Sequence, residues 1–188
     1  MIPDPRRVAT RKQAEMTTEA SKSLMKWLSK TLGGRAKHIY VVGGAVRNFK
    51  LDAPIKDIDM VVDSINLGRD AEWVANQIAR RIPTSTSIAG PDNLRVTKVN
   101  INGPWILDGH DFNGEVLDLV DARKEEYATD PETGEYVGHK PIRVSPTTME
   151  EDVGRREFTF NTLMWRLSDL ANGPDKAEII DLTGCGVK

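Results

Sequence analysis

Two aspartates separated by a single residue, Asp57 and Asp59, are the side chains of this sequence best suited to chemistry. They lie in the segment DIDMVV (57–62), whose composition predicts a buried strand. Alternate side chains of a strand share a face, so both carboxylates project together while Ile58 points into the core. Such close carboxylates repel each other unless a cation lies between them, and hard oxygen donors suit Mg²⁺ or Mn²⁺. The pair predicts a two-metal site that binds a triphosphate and activates an acceptor hydroxyl, although two solvated acids at a strand end would show the same spacing.

Two consecutive glycines, Gly43 and Gly44, form the second candidate feature. They follow the apolar segment HIYVV (38–42) and precede AVRNF (45–49), an order that predicts a buried strand, a tight turn and a short helix. Because glycine lacks a Cβ, the backbone of such a turn can approach an anion closely with its N–H groups pointing outward. The turn could hold a triphosphate, or it could be only a tight connection.

The elements that must position these residues alternate between helices and strands, which is typical of an α/β protein. A helix is predicted from Thr17 or Thr18 to the glycines at 33–34, because a capping hydroxyl precedes a periodic apolar face. A second helix is predicted over 69–81, with Pro83 just beyond its end. Further strands are predicted at 94–101, 114–122 and 177–182.

Other segments lack a clear apolar period. Residues 123–141 predict a polar loop long enough to be a functional element. Ser145-Pro146 predicts the start of a helical region that contains EEDVGRREFTFNTLMW (150–165). Residues 1–16, with two prolines and four basic residues, predict a basic flexible arm, and 17–188 predict a single domain.

Charge is unevenly distributed along the 188 residues, although the net charge is only −2. The first fifty residues carry 11 Lys or Arg and 3 Asp or Glu, whereas the remainder carries 15 and 25. A basic segment could follow a phosphate backbone, and an acidic remainder suits a site that collects divalent cations. Lysines on a surface helix could equally serve solubility.

The composition also excludes several classes of protein. A single cysteine, Cys185, excludes an internal disulfide framework and a CxxC-type zinc site. No apolar run approaches the roughly 18 residues that span a bilayer, and the first residues lack the apolar core of a secretory signal. We therefore expect a cytoplasmic protein without a membrane partner.

Four segments together resemble a known family. The stretch VVGGAVRNFKLDAPIKDIDMVV (41–62) resembles the signature of the tRNA nucleotidyltransferase (CCA-adding enzyme) and poly(A) polymerase family, bacterial-type class II, in which a GG-x-VRD turn precedes a DID strand. The stretch MEEDVGRREFTFNTLMW (149–165) resembles the family's ED-x-x-RRDFTINAL block. LVDARKEEY (119–127) lies where the family has a strand ending in an Arg-containing segment, and EIIDLTGCG (178–186) resembles its closing DPxGG turn. The matches follow the family's order from about residue 37 to the end of the chain.

The resemblance implies a polymerase beta-like nucleotidyltransferase head, an α/β (α+β) fold with a short mixed sheet backed by helices. It implies that Asp57 and Asp59 hold the metal ions, and Asp118 or Asp121 could add a carboxylate because their strand should run beside the DID strand. Guanidinium groups pair bidentately with phosphate. The nucleotide contacts that the resemblance implies come from Gly43, Gly44, Arg47, Arg155, Arg156 and Asn161. Arg155 and Arg156 could instead form salt bridges with neighbouring acids.

Three departures from the family pattern limit what the resemblance implies. Asn48 and Glu157 stand where the family has aspartates, which leaves the choice between ribonucleotides and deoxyribonucleotides open. Family members also continue into helical domains that select the base and hold the tRNA, so base choice cannot be predicted from this sequence.

The resemblance implies transfer of a nucleotide from ATP, CTP or both to an RNA 3′ end, most plainly that of a tRNA. The enzyme would be minimal, or split with a partner chain that supplies the helical domains. Two alternatives remain, since a fold alone does not determine function. One is transfer to a protein or small-molecule acceptor, and the other is a non-catalytic module that binds a nucleotide or RNA.

Overall fold

The computed structural model describes residues 16–90, 95–138, 140–154 and 162–184. The strands in these ranges are β1 (Ile39–Val42), β2 (Ile58–Val62), β3 (Thr84–Ala89), β4 (Val96–Ile101), β5 (Ile106–Leu107), β6 (His110–Asp111), β7 (Val116–Asp121), β8 (Arg123–Glu126), β9 (Arg143–Pro146) and β10 (Met164–Arg166). The α-helices are α1 (Thr18–Leu32), α2 (Gly44–Lys50), α3 (Ser64–Leu67), α4 (Ala71–Ala79) and α5 (Met149–Gly154). No helix of the described residues is long and apolar enough to cross a bilayer.

A six-stranded sheet organises the chain, in the order β10-β1-β2-β7-β4-β3. Strands β2 and β7 run parallel, and the other neighbouring pairs of this sheet run antiparallel. Two small sheets, β5-β6 and β8-β9, lie outside it. The mixed sheet with helices packed against it confirms the predicted fold class.

The main hydrophobic core lies between one face of the sheet and helices α1 and α4. From β2, the fully buried side chains of Ile58 and Met60 enter this core, as the alternation in DIDMVV predicts. A smaller cluster covers part of the opposite face, where Met149 and Val153 of α5 pack near Val61. Asp59 of β2 and Asp118 of β7 share this second face with α5.

Helix α1 confirms the prediction made from its capping residues. The Thr17 hydroxyl accepts a hydrogen bond from the Ala20 N–H at 3.2 Å, which satisfies one of the free donors of the first turn. The helix ends at Gly33, whose φ of 54° is a conformation that glycine adopts without a Cβ clash. Its apolar face, represented by the fully buried Leu24 and Leu28, packs into the main core.

The prediction that residues 1–16 form a flexible arm is wrong for Met16. Met16 is buried, and it exchanges backbone hydrogen bonds with Ile55 at 2.7 and 3.1 Å. An apolar side chain that enters the core, together with a backbone bridge, ties the chain down at this point. Residues 1–15 of the arm lie outside the described residues.

The prediction of a polar loop over 123–141 is wrong for residues 123–126, which form strand β8. Strand β8 pairs with β9 in an antiparallel ladder whose register includes Lys124 opposite Ser145. The residues RKEE lack apolar alternation because this two-stranded sheet buries none of them: Lys124 and Glu126 are exposed, and Arg123 and Glu125 are only partly buried. The backbone ladder, rather than a hydrophobic face, therefore defines the strand.

The helical region predicted from Ser145 to Trp165 is correct only in its middle. Ser145 belongs to β9, the helix α5 spans Met149–Gly154, and Met164 and Trp165 belong to β10. Both β10 residues are fully buried, and the strand pairs with β1, so tertiary packing overrides their helical spacing. Residues 155–161 lie outside the described residues.

Two differences concern edge elements of the sheet. The unpredicted strand β3 (TSTSIA) has largely exposed side chains, which removes the apolar signal expected of a strand. The strand predicted over 177–182 is reduced to one bridge, in which Ile180 pairs with Met164.

Candidate functional site

Asp59 and Asp118 lie side by side on neighbouring parallel strands. The register of β2 and β7 pairs them directly, and both side chains are half-buried on the face that carries α5. Paired positions on adjacent strands lie about 4.8 Å apart, so their side chains project as neighbours. The sheet therefore builds a carboxylate pair from residues 59 positions apart in the sequence.

Asp57 occupies a different environment. It precedes β2, which begins at Ile58, and its side chain is exposed. The prediction that both aspartates lie within the strand is therefore wrong for Asp57, although Asp57 still lies two residues before Asp59 at the strand's entrance. An exposed carboxylate at this point can reorient towards a bound cation at little cost, because it packs against no core residue.

A cleft of 380 Å³ brings the glycine turn and the carboxylates together. Its walls come from the end of β1, the glycine turn, strands β2 and β7, and the start of β4. The lining residues are Val42, Gly43, Gly44, Asp59, Met60, Val61, Val96, Asp118 and Val120. The glycine turn and Asp59 thus face the same space, whereas Asp57 does not line this cleft.

The glycine turn is tight, as its sequence predicts, but the N–H of Gly43 is used within the fold instead of pointing outward. Gly43 has φ 70° and ψ −131°, a conformation that side-chain-bearing residues rarely adopt, and its N–H donates to the Leu163 carbonyl at 3.2 Å. Gly44 begins helix α2. A Cβ on Gly44 would lie 3.7 Å from Nη2 of Arg47, so the Arg47 guanidinium lies close above the turn. Arg47 therefore lies beside the glycine turn, and its contact with a nucleotide stays a prediction.

Asn48 connects Arg47 to the segment that leads to the aspartates. Its side-chain oxygen accepts a hydrogen bond from Nε of Arg47 at 3.0 Å, and its amide nitrogen donates to the Pro54 carbonyl at 2.8 Å. An aspartate could accept from Arg47 but could not donate to Pro54. The asparagine thus has a structural reason to stand where the family signature has an acid.

Lys98 is the functional candidate that the sequence did not reveal. It lies opposite Asp118 in the register of β4 and β7, and its Nζ contacts the two carboxylate oxygens of Asp118 at 2.8 and 2.6 Å. From Lys98 to Ile101, the polar Lys98 and Asn100 alternate with the apolar Val99 and Ile101, so Lys98 was predictable as an outward residue of its strand. The pairing with Asp118 depends on the register, which the sequence does not contain.

Asp121 does not join the site. Three positions beyond Asp118 on the same strand, it projects from the opposite face, where its carboxylate accepts a hydrogen bond from the Ala71 N–H at 2.9 Å. The pKa of Asp121 is raised to about 6, mainly by burial and to a smaller extent by the nearby Asp70, while the hydrogen bond from Ala71 acts to lower it. Of the two alternatives, Asp118 faces the cleft and Asp121 does not, and a role of Asp118 as a further carboxylate stays a prediction.

The donor chemistry of the cleft suits a hard divalent cation. Carboxylate oxygens such as those of Asp57 and Asp59 are the ligands that Mg²⁺ and Mn²⁺ prefer. Within the described residues, no three acidic, histidine or cysteine side chains already converge as a cation site. Both carboxylate oxygens of Asp118 contact Nζ of Lys98, which is consistent with the absence of such a three-residue cluster from the described residues. The residues therefore fit a cation held by Asp57 and Asp59.

The remaining predicted nucleotide contacts, Arg155, Arg156 and Asn161, lie outside the described residues. The helix that leads to them is firmly anchored: Asp152 of α5 is fully buried and accepts a hydrogen bond from the Arg123 N–H at 3.1 Å. Their predicted roles stay predictions.

Comparison with known proteins agrees with this geometry. The profile of the Poly A polymerase head domain matches residues 39–188. The A-adding tRNA nucleotidyltransferase of Aquifex aeolicus (strain VF5) is 29% identical over 127 residues, which is 66% of this chain and 12% of that protein.

Two solved structures share the fold. A CCA-adding enzyme in its apo form II is 24% identical with a TM-score of 0.59, and the match covers 88% of this chain and 32% of that chain. The Thermotoga maritima CCA-adding enzyme complexed with tRNA is 23% identical with a TM-score of 0.54, covering 87% of this chain and 29% of that chain. The chain thus spans 12% of the curated relative and about a third of these solved structures.

Proposed function

Since the chain belongs to the poly(A) polymerase head domain family, we propose that it transfers a nucleotide from a nucleoside triphosphate, ATP or CTP, to the 3′ end of an RNA. The observation that carries the proposal is the shared cleft, in which the Gly43-Gly44 turn faces Asp59 and Asp118. A phosphate-binding turn beside a carboxylate pair is the arrangement that nucleotidyl transfer requires.

In the proposed reaction, the 3′-hydroxyl oxygen of the acceptor forms a bond to the α-phosphorus of the triphosphate. The bond from that phosphorus to the bridging oxygen breaks, and pyrophosphate leaves. Bound Mg²⁺ or Mn²⁺ would neutralise phosphate charge and favour the ionised acceptor hydroxyl. Asp57 and Asp59 would hold these ions, with Asp57 free to orient because it is exposed at the entrance to β2.

The chain's other residues bind and orient the triphosphate. Gly43 lets the backbone approach the phosphates closely because no Cβ intervenes. Arg47 lies above the turn, and its guanidinium can pair with phosphate oxygens and with the charge that accumulates on leaving pyrophosphate. Asn48 fixes Arg47 relative to the Pro54 segment and so keeps the arginine directed at the turn.

The acceptor is proposed to be a tRNA 3′ end. The proposal is supported by the family of the chain and by the similarity to an A-adding tRNA nucleotidyltransferase. Because the chain matches only part of these relatives, recognition of the RNA and selection of the base are proposed to involve residues beyond this head, including a partner chain if one supplies helical domains.

The test is incubation of the purified chain with Mg²⁺, each α-labelled nucleoside triphosphate in turn, and a pool of tRNAs lacking their 3′ ends. We expect labelled tRNA with the wild-type chain and none with the Asp57→Asn/Asp59→Asn variant. The Asp169→Asn variant removes a charge from an exposed carboxylate on a 3₁₀ segment and should extend the tRNA as the wild type does.

The outcomes distinguish the proposal from its alternatives. Label that enters a protein or small molecule, but not RNA, would replace the proposed acceptor and leave nucleotidyl transfer intact. Nucleotide binding that is unaffected by the double substitution, without transfer to any acceptor, would contradict the proposal as a whole.

A further inference from the structure

The ion pair between Lys98 and Asp118 lies beside Asp59 of the proposed metal site. Nζ of Lys98 contacts both carboxylate oxygens of Asp118, at 2.6 and 2.8 Å. The register places Asp118 between Asp59 on one side and Lys98 on the other. Asp118 therefore has an acidic neighbour and a basic neighbour on the same face of three adjacent strands.

The position of Lys98 has an electrostatic consequence. Like charges directly opposite each other on neighbouring strands destabilise a sheet, and Asp59 and Asp118 form such a pair. The ammonium group of Lys98 offsets this repulsion. The side chains of Lys98 and Asp118 are 35% and 26% exposed, so the pair is less screened by solvent than a fully exposed one.

A divalent cation and the ammonium group would use the same oxygens. The two contacts from Nζ use one lone pair of each Asp118 oxygen in the direction of Lys98. For Asp118 to coordinate a metal ion beside Asp59, its carboxylate would have to turn away from Lys98, and the second cation would then lie close to the ammonium charge.

We propose that the ammonium group of Lys98 competes with divalent metal ions for the carboxylate of Asp118. The site consequently takes metal through Asp57 and Asp59, and Asp118 coordinates a metal ion only when Lys98 releases it. Lys98 is a positioning residue that acts through Asp118. The inference rests on the proposed function, because it assumes that Asp57 and Asp59 hold metal ions.

The experiment measures Mn²⁺ binding to the full chain by electron paramagnetic resonance, in which bound Mn²⁺ disappears from the signal of the free ion. Lys98→Met removes the ammonium group and keeps much of the side-chain length. We expect this variant to bind Mn²⁺ more tightly than the wild type, on the order of fivefold to tenfold, or to bind an additional ion.

Three further variants show whether the gain depends on the proposed competition. Lys98→Arg keeps the charge and should bind Mn²⁺ as the wild type does. Lys98→Met/Asp118→Asn removes the released carboxylate and should lose the gain. Lys124→Met removes an exposed lysine of β8 and should leave Mn²⁺ binding unchanged. If Lys98→Met does not fold, Lys98→Gln, which removes the charge but keeps a donor for Asp118, carries the same expectation.

The possible failures are distinguishable. Unchanged or weaker Mn²⁺ binding in Lys98→Met would overturn the inference, provided that Asp57→Asn/Asp59→Asn still abolishes binding, and would leave the proposed function standing. Wild-type binding of Mn²⁺ that is insensitive to Asp57→Asn/Asp59→Asn would contradict the proposed metal site, and the inference with it. Tighter Mn²⁺ binding that persists in Lys98→Met/Asp118→Asn would also overturn the inference, because the increase in affinity would not depend on the carboxylate of Asp118.

Discussion

Asp121 makes the stability of this domain depend on pH in an unusual direction. Its carboxyl group accepts the Ala71 N–H in a partly buried position, and burial is the largest cause of a pKa raised from 3.8 to about 6. The folded protein therefore binds this proton more tightly than the unfolded chain does. Where the folded state binds more protons, the free energy of unfolding falls as pH rises. The contribution of Asp121 is thus most favourable below pH 3.8 and is lost by about pH 6.

The size of the effect follows from the difference between the two pKa values. A difference of about two units corresponds to about 3 kcal/mol in the free energy of unfolding. The carboxyl group is only partly buried, and solvent screens its charge, so we reduce the expected loss to about 1–2 kcal/mol.

The Asp121→Asn variant isolates this effect, because asparagine keeps an oxygen that can accept from the Ala71 N–H but cannot ionise. We expect urea unfolding to give the variant and the wild type similar stabilities near pH 4, and to favour the variant by about 1–2 kcal/mol at pH 7.5. The Asp169→Asn variant, which removes an exposed carboxylate, should show no such divergence. A difference between Asp121→Asn and wild type that is constant with pH, or that favours the wild type at pH 7.5, would refute the reasoning.

Four other substitutions test the elements around the cleft, each by urea unfolding. Gly43→Ala should destabilise the protein by about 1–3 kcal/mol because the φ of 70° at this position strains a residue with a side chain. Gly44→Ala should cost less than about 1 kcal/mol because its Cβ would make only an ordinary contact. Equal costs for the two substitutions would contradict this assignment of strain to Gly43. Trp165→Ala should cost about 3–5 kcal/mol because it removes a fully buried ring from the core, and a cost under about 1 kcal/mol would contradict its placement. Asp152→Ala should cost about 1–3 kcal/mol because it leaves the Arg123 N–H without this acceptor, and a neutral result would show that the hydrogen bond contributes little.

The parts of the fold that the sequence predicts well are those with a strong apolar period or a clear cap. Strands β1 and β2 are apolar and fully or largely buried, and α1 has both the Thr17 cap and the Gly33 stop. In these segments, local propensity and tertiary packing favour the same structure.

The parts that it predicts poorly are defined by partners far away in the chain. Strand β3 has mostly exposed side chains and is a strand because it pairs with β4, and β8 is a strand because it pairs with β9. Strand β10 falls within the predicted helical region, but it is a strand because it pairs with β1. Backbone pairing of this kind leaves little pattern in the side chains of a single segment.

The candidate site also has features that the sequence predicts and features that depend on the register of the sheet. The aspartate pair and the glycine turn are local patterns, and both were predictable as candidates from spacing alone. The choice of Asp118 over Asp121 depends on which face of β7 each residue occupies relative to β2, and the contact with Lys98 depends on the register of β4. Sequence spacing places both aspartates near the DID strand, but only the register of the sheet decides which one faces Asp59.

Asp57, just before β2, and Asp59, near the start of β2, are proposed to support nucleotidyl transfer. The most direct measurement is the single-turnover rate at which Mg²⁺ and α-labelled ATP or CTP extend a tRNA lacking its 3′ end, compared among wild type, Asp57→Asn and Asp59→Asn. We expect each substitution to lower the rate by a factor on the order of 100 or more, with the free energy of unfolding unchanged or increased because charge repulsion is relieved. Extension by both variants at the wild-type rate would contradict the account.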